Sequence, residues 1–184
     1  GLEPTPSLYI GHLVQVFHAV YRVLRDDGTL WLNLGDRYAT RALEGLKHKD
    51  LVGIPWRAAY ALQADGWYLR SDVVWAKGVS FSDSGAGNVM PESITDRPVR
   101  AHEFVFLLTK SERYFYDHFA VREESVTRPQ RRLTQRSSAR DAAMRADKVY
   151  PYRRMDEPGR QQARRNLRDV WRINTQPFRD AHFA

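Results

Sequence analysis

The chain has 184 residues, no cysteine and a formal net charge of +7. Its length suffices for one domain with a hydrophobic core, because a chain of roughly 150 residues buries about 70% of its extended surface. The lack of cysteine excludes disulfides and thiolate metal sites, and no apolar run approaches the ~20 residues of a membrane span, so we expect a soluble intracellular protein with no membrane partner.

The first part of the chain predicts alternating helices and strands. A helix should begin at Pro6 with Thr5 as its N-cap, because apolar residues then recur at three- and four-residue steps up to Leu24. The apolar run 29–36, which has glycine near both ends, predicts a buried parallel strand. A helix over 54–64 and a strand over 67–77 repeat this unit. The alternation predicts an α/β sheet.

The next part predicts a long loop over 78–101, of the kind that is often functional, followed by a strand over 102–109. Residues 114–116 are predicted to form a short strand that pairs with this one in a hairpin. Beyond Glu124 large apolar residues are few, so we expect no separate core there. Apolar residues return between 166 and 173, where we expect the chain to rejoin the main body.

The excess positive charge is concentrated in one segment. Residues 122–172 hold 15 Lys and Arg against 7 Asp and Glu, whereas the remainder holds 14 against 15. Nearly all these cations are arginines, whose planar guanidinium suits phosphate oxygens and guanine edges. This distribution favours a nucleic-acid partner. We expect DNA contacts from the basic run, with a solvated linker as the alternative. The residues are Arg128, Arg131, Arg132 and Arg136.

Four stretches of sequence, in a fixed order, match a known family. They are residues 2–5 (LEPT), 23–36 (VLRDDGTLWLNLGD), 71–77 (SDVVWAK) and 90–98 (MPESITDRP), the last continuing into 101–110 (AHEFVFLLTK). Together they span most of residues 1–117. On these stretches the chain resembles the site-specific DNA methyltransferases that modify the exocyclic amine of adenine (N6) or cytosine (N4).

The resemblance implies a partial Rossmann-like α/β sheet with an irregular basic insertion. In that sheet the first two strands are parallel members, and the strand at Glu103 is the antiparallel one inserted near the edge. Residues 1–121 would be the central part of the catalytic domain, 122–165 a target-recognition or linker segment, and 166–184 the return to the catalytic domain. The methyl donor would be S-adenosylmethionine, and the substrate duplex DNA with a flipped-out base.

Two motifs of the family do not occur in this chain. The catalytic tetrapeptide, Asp or Ser followed by Pro-Pro-Tyr, is expected before residue 1. The glycine-rich cofactor turn, Phe-x-Gly-x-Gly, is expected after a segment that begins at residues 182–184, which makes His182 and Phe183 the candidate cofactor-binding residues. We therefore expect an internal fragment of the enzyme that is inactive alone.

Six residues are candidates for the cleft that receives DNA or the flipped base, since they lie at strand ends on the carboxyl edge or on the long loop beside it. They are Asn33, Asp36, Lys77, Arg97, His102 and Glu103. Each has a structural alternative. Asp36 could cap the following turn, Lys77 could be a solvated edge charge, and Arg97 could pair with Glu103 to fix the loop.

The residues alone leave other functions as alternatives. A DNA-binding module without chemistry would also explain the arginines, and charge does not exclude an RNA substrate. A nuclease is disfavoured because no convincing Glu-x-Lys pattern follows an Asp. We expect no metal site, since His12 and His18 lack ligand spacing. A second copy of this chain, in a homodimer, and a cognate restriction enzyme are possible partners. The resemblance implies that the protein is located in the cytoplasm of a bacterial or phage-infected cell.

Overall fold

A computed structural model describes residues 2–81, 89–124 and 164–174. Within them lie two helices, α1 (Pro6–Val23) and α2 (Ile54–Ala64), and six strands. The strands are β1 (Thr29–Leu34), β2 (Tyr68–Ala76), β3 (His102–Thr109), β4 (Glu123–Glu124), β5 (Arg164–Arg165) and β6 (Val170–Arg172). The candidate residues that lie outside the described ranges are Arg128, Arg131, Arg132, Arg136, His182 and Phe183.

Helix α1 begins where the sequence predicts. Thr5 has extended backbone geometry, and its hydroxyl accepts a hydrogen bond from the Leu8 N–H at 3.2 Å. Pro6 occupies the first helical position, where its missing N–H loses nothing. The predictions for α2, β2 and β3 are also confirmed, with strand ends shifted by at most one residue. Local caps and periodicity therefore determine these elements.

Four strands form a mixed sheet in the order β1-β3-β2-β6. β3 runs antiparallel to both β1 and β2, and β2 pairs in parallel with the short β6. The strand at Glu103 is thus antiparallel, as expected. It lies between β1 and β2, so these two strands share a direction without being hydrogen-bonded to each other.

The prediction that 29–36 forms a buried parallel strand is wrong. β1 ends at Leu34 and pairs antiparallel with β3, and Trp31 on it is 40% exposed. A short apolar run indicates burial on at least one face, but the direction of its partner depends on residues about 70 positions away in this chain, such as Asn33 opposite Val105.

The predicted hairpin partner of β3 is also wrong, because residues 114–116 form no strand. The Phe115 N–H donates to the Asp27 carbonyl at 2.8 Å, and Lys110 Nζ donates to the Leu24 carbonyl at 2.8 Å. The Phe115 N–H, which a hairpin ladder could have used, is thus bound to the turn between α1 and β1. The chain after β3 is consequently fastened to the turn between α1 and β1.

The core lies between the two helices and one face of the sheet. Alternate residues of a strand point to the same face, and on β1 and β3 these include Leu32, Phe106 and Leu108. They pack with Leu62 of α2 and with Trp67, and all five are buried. The apolar stripe of α1 packs against this cluster, as its spacing predicts. Both helices therefore cover the same face of the sheet.

The chain divides into two compact units, Gly1–Tyr116 with Arg168–Ala184, and Asp117–Leu167. In the second unit β4 and β5 pair antiparallel, and Arg165 Nε donates to Glu123 Oε2 at 2.9 Å. The role of 122–165 in target recognition stays a prediction. In the described ranges no helix combines the length and apolar character needed to cross a membrane.

Candidate functional site at the carboxyl edge of the sheet

The ends of β1 and β2 meet the start of β3 at one edge of the sheet, because β3 runs antiparallel to both. Two loops leave this edge. Loop A (residues 35–53) joins β1 to α2, and loop B joins β2 to β3, with residues 77–81 and 89–101 described. The six candidate residues lie on these loops or at the adjoining strand ends, so the structure brings them to one region.

Asp36 holds the N-terminus of α2. Its Oδ1 accepts hydrogen bonds from the N–H groups of Arg37, Gly53 and Ile54 at 2.9, 2.9 and 3.0 Å. Gly53, the N-cap residue, has a φ of 76° and no side chain to cap with, so Asp36 supplies the cap from 17 residues away. Its side chain is 3% exposed, and Oδ2 lies 3.5 Å from Arg100. Asp36 thus caps a distant helix, whereas its structural alternative was a cap on the turn that directly follows it.

Glu44 performs the same task for α1. Its Oε2 accepts from the Ser7 N–H at 3.0 Å and from the Ser7 hydroxyl at 2.7 Å, and these hydrogen bonds lower the pKa of Glu44. Glu44 and Gly45 form a left-handed turn with φ of 49° and 80°. Leu43 and Leu46 exchange backbone hydrogen bonds of 3.1 and 2.9 Å across that turn. Loop A is therefore fastened to the N-termini of both helices.

Three cations of the two loops join them together. Lys49 Nζ lies 2.6 Å from Asp96 Oδ2, and its hydrogen bond and charge lower the pKa of Asp96. The guanidinium of Arg97 lies 3.7 Å from the centre of the Tyr38 ring, a cation–π contact. The third contact is the pair of Arg100 with the carboxylate that caps α2. Loop B is thus held against loop A by contacts of charged side chains.

The ion pair of Arg97 with Glu103, which was the structural alternative for Arg97, is not formed among the described residues. Arg97 instead donates to Glu92 Oε2, five residues earlier, at 2.7 Å. Glu103 pairs with Lys77, which lies two residues beyond Trp75, the direct cross-strand neighbour of Glu103. The Lys77 ammonium also lies 5.0 Å from the Trp75 ring centre. The register of β2 and β3 thus brings Lys77 to Glu103, in place of Arg97 of loop B.

Asn33 and His102 both contact Phe104. Asn33 Nδ2 donates to the Phe104 carbonyl at 2.9 Å, and the His102 ring packs edge-on against the Phe104 ring with centres 5.4 Å apart. Burial lowers the pKa of His102 below its ordinary value of 6.5, and the charge of Arg100 lowers it further. His102 is therefore held in its neutral form at neutral pH.

A cleft of about 620 Å³ opens between the start of α1 and loop A. Residues that line it include Glu3, Thr5, Tyr9, Asp36, Arg37, Thr40 and Arg41. Asp36 is the one member of the six candidates in this lining; the other five lie elsewhere on the edge. The Glu3 carboxylate lies 3.0 Å from His12 Nδ1, and this hydrogen bond is the largest cause that lowers the pKa of Glu3.

Several residues that organise this edge have no local signal in the sequence. Glu44 acts on a helix 37 residues earlier, and Tyr38 and Arg100 act across two loops. Their roles depend on how the loops fold back, which neither periodicity nor a short motif records. The Gly45 turn is the partial exception, since a glycine after an acidic residue favours a tight turn.

The described residues do not form a glycine-rich cofactor turn. Such a turn leads from a strand directly into a helix. Gly35 follows β1, but the next helix begins only at Ile54. Because His182 and Phe183 lie outside the described ranges, no described residue is assigned to a methyl donor.

Comparison with known proteins finds relatives along the whole chain. A family model described as DNA methylase matches residues 2–183. The chain is 43% identical to Type II methyltransferase M.Cfr9I of Citrobacter freundii, 43% to Type II methyltransferase M.XycI of Xanthomonas campestris pv. cyanopsidis and 40% to Type II methyltransferase M.SmaI of Serratia marcescens. Each alignment covers 100% of this chain and 54%, 54% and 56% of the relative. The chain thus spans about half the length of these curated relatives.

Replacing Asp36 with alanine should lower the free energy of unfolding by about 3 kcal/mol, because Arg100 and two N–H groups at α2 lose their acceptor. Urea unfolding followed by circular dichroism measures this change. Asp27→Ala is the matched control, since its carboxylate pairs with the exposed Arg25 and should contribute less than about 1 kcal/mol. A loss for Asp36→Ala no larger than that of the control would refute the capping role.

His102 should make the protein less stable in mild acid. Its folded pKa lies below the ordinary 6.5 of the unfolded chain, so its contribution is complete above pH 6.5 and is lost as pH falls through the folded pKa. Urea midpoints measured from about pH 7.5 down to 5 should fall less steeply for His102→Gln than for the wild type. Equal steepness in the two proteins would show that the histidine is not desolvated.

Proposed function

Since this chain belongs to the DNA methylase family, we propose that it forms part of an enzyme that transfers a methyl group from S-adenosylmethionine to the N6 amine of adenine or the N4 amine of cytosine in duplex DNA. The observation that supports this most strongly is the 43% identity, over the complete chain, to a Type II methyltransferase. The mixed sheet with its inserted antiparallel strand agrees with the Rossmann-like sheet that the sequence resemblance implies.

The part of the chemistry left to this chain is positioning. The donor, when bound, supplies an electrophilic methyl group, and the family's catalytic tetrapeptide and cofactor turn do not occur in these residues. An enzyme accelerates its reaction when the groups that contact the substrate are already held in place before the substrate binds. Asp36 and Glu44 fix loop A, and loop B is bound to it through Lys49, Arg97 and Arg100. The carboxyl edge is therefore preorganised.

The pair of Lys77 and Glu103 is proposed as a positioning element of the same edge. It ties the end of β2 to the start of β3, and each side chain is 24% exposed, so a ligand could still reach it. Arg97 lies in the last part of loop B, and His102, the first residue of β3, directly precedes Glu103. We propose that these four residues, with Asn33, face the DNA or the flipped base.

Target recognition is proposed for residues 122–165. This proposal rests on the excess of cationic side chains, since residues 122–172 contain 15 Lys and Arg against 7 Asp and Glu. Each phosphate contact releases counterions and steepens the salt dependence of binding. We propose phosphate contacts for the basic run of this segment. Its members are Arg128, Arg131, Arg132 and Arg136.

Methyl transfer from labelled S-adenosylmethionine to unmethylated genomic DNA tests the proposal. The assay compares this chain with a longer chain that carries both missing motifs. We expect label transfer by the longer chain only, and nucleoside analysis of the product should find N6-methyladenine or N4-methylcytosine. DNA already methylated by the same enzyme is the control and should accept no further label.

A different outcome would favour the second candidate function. If the longer chain is folded and binds DNA but transfers no label, the concentrated arginine charge belongs to a DNA-binding module without chemistry. Circular dichroism and a DNA-binding titration on the same preparation distinguish that result from a simple failure to fold.

A further inference from the structure

Loop A contains two arginines that the fold does not use. Its acidic residues Asp36 and Glu44 are occupied by the helix N-termini, and Asp50 accepts the Lys47 N–H at 2.7 Å. Arg37 and Arg41 are both exposed. Among the described residues, neither guanidinium has an ion pair or a hydrogen-bond acceptor.

These two arginines line the cleft between α1 and loop A. The lining contains two carboxylates, and both have other partners: Glu3 is bound to His12, and Asp36 caps α2 against Arg100. Hydroxyl groups of Thr5, Tyr9 and Thr40 also border the cleft. Apart from these two carboxylates, the polar side chains of the lining are therefore the two arginines and hydroxyl groups.

The loop that presents the arginines is held in one conformation. The Ala39 N–H donates to the Asp50 carbonyl at 2.8 Å, and the Lys49 N–H donates to the Ala39 carbonyl at 2.8 Å. Arg37 and Arg41 each lie two residues from Ala39, and the Arg37 carbonyl also accepts a hydrogen bond from the Val52 N–H at 2.9 Å. A ligand would consequently bind without the cost of ordering the backbone.

The chemistry of this surface favours a phosphate-bearing partner. Guanidinium groups donate in a planar fork that matches phosphate oxygens, and hydroxyl groups add further donors. A pocket for a small anion would enclose its arginines, whereas these two are exposed at the border of an open cleft. An extended polyanion can lie across such a border.

We propose that Arg37 and Arg41 bind backbone phosphates of duplex DNA, at a site distinct in sequence from the basic segment 122–165. This proposal rests on the proposed function, because DNA is the polyanion that a DNA methylase must hold. The contacts position the duplex and carry no sequence information. Loop A is thus a second DNA-binding element of the protein.

The double variant Arg37→Ala/Arg41→Ala tests the proposal in the longer chain of the methyl-transfer assay. Its affinity for a fluorescently labelled duplex is measured over a series of salt concentrations. Loss of two phosphate contacts should reduce the slope of log K against log salt by about 1.8 and weaken binding on the order of 50-fold near 0.1 M salt.

The matched control is Arg22→Ala/Arg113→Ala. It removes the same charge from two exposed arginines, one in the last turn of α1 and one after the end of β3. Because α1 has 18 residues, its last turn lies roughly 25 Å from the cleft end of the helix. The control should change affinity less than about threefold and leave the salt slope near that of the wild type.

The outcomes separate this inference from the proposed function. An unchanged salt slope in the Arg37/Arg41 variant overturns the inference, while label transfer by the wild type leaves the methylase proposal standing. Equal losses in both variants also overturn it, since they reflect net charge alone. A wild type that neither binds DNA nor transfers label removes both proposals. Reduced label transfer at unchanged DNA affinity assigns the arginines to another anion and contradicts the inference.

Discussion

The carboxylate of Asp36 is the interaction on which the carboxyl edge of the sheet depends. Its side chain is 3% exposed, and it accepts three backbone N–H groups beside Arg100. A charge removed from water is tolerated only where such partners replace the solvent, since an unpaired buried charge costs several kcal/mol. These partners come from loop A, the start of α2 and loop B. One side chain therefore fixes three segments whose sequence positions are far apart.

Both helices direct their N-termini to this edge, and loop A supplies a carboxylate to each. The partial positive charge of a helix N-terminus often serves to bind an external anion. Here Asp36 and Glu44 occupy both termini, so the helices use that charge to hold the loop. The cations that stay exposed at the cleft are Arg37 and Arg41. This division of charge is the physical basis of our proposal that loop A contacts DNA.

The sequence predicted those features of the fold that depend on a short stretch of the chain. The cap at Thr5, the helix over 54–64 and the strand over 102–109 follow from turn residues and periodicity. The direction in which β1 is paired and the absence of a strand at 114–116 could not be predicted, because each depends on distant partners. Family resemblance correctly predicted the antiparallel direction of β3, which periodicity alone does not give.

In the candidate site, too, the sequence predicted the location of residues but not their interaction partners. The expectation that strand ends collect polar residues at one edge led to Asp36, Lys77 and Glu103, which the structure indeed brings there. The sequence did not show which charges pair, because strand register decides the partner of Glu103 and the conformation of loop B decides that of Arg97. Glu103 pairs with Lys77 at the end of the β2–β3 ladder, whereas Arg97 pairs with Glu92 of loop B and contacts the Tyr38 ring of loop A.

Amide hydrogen exchange at Gly53 and Ile54, followed by NMR, tests most directly whether Asp36 organises this edge. Neither N–H has a carbonyl acceptor at the start of α2, so their protection depends on the Asp36 carboxylate. We predict slow exchange at both amides in the wild type and a loss of protection in Asp36→Ala, with the amides of β3 still protected. Unchanged protection at Gly53 and Ile54 in the variant would contradict this account.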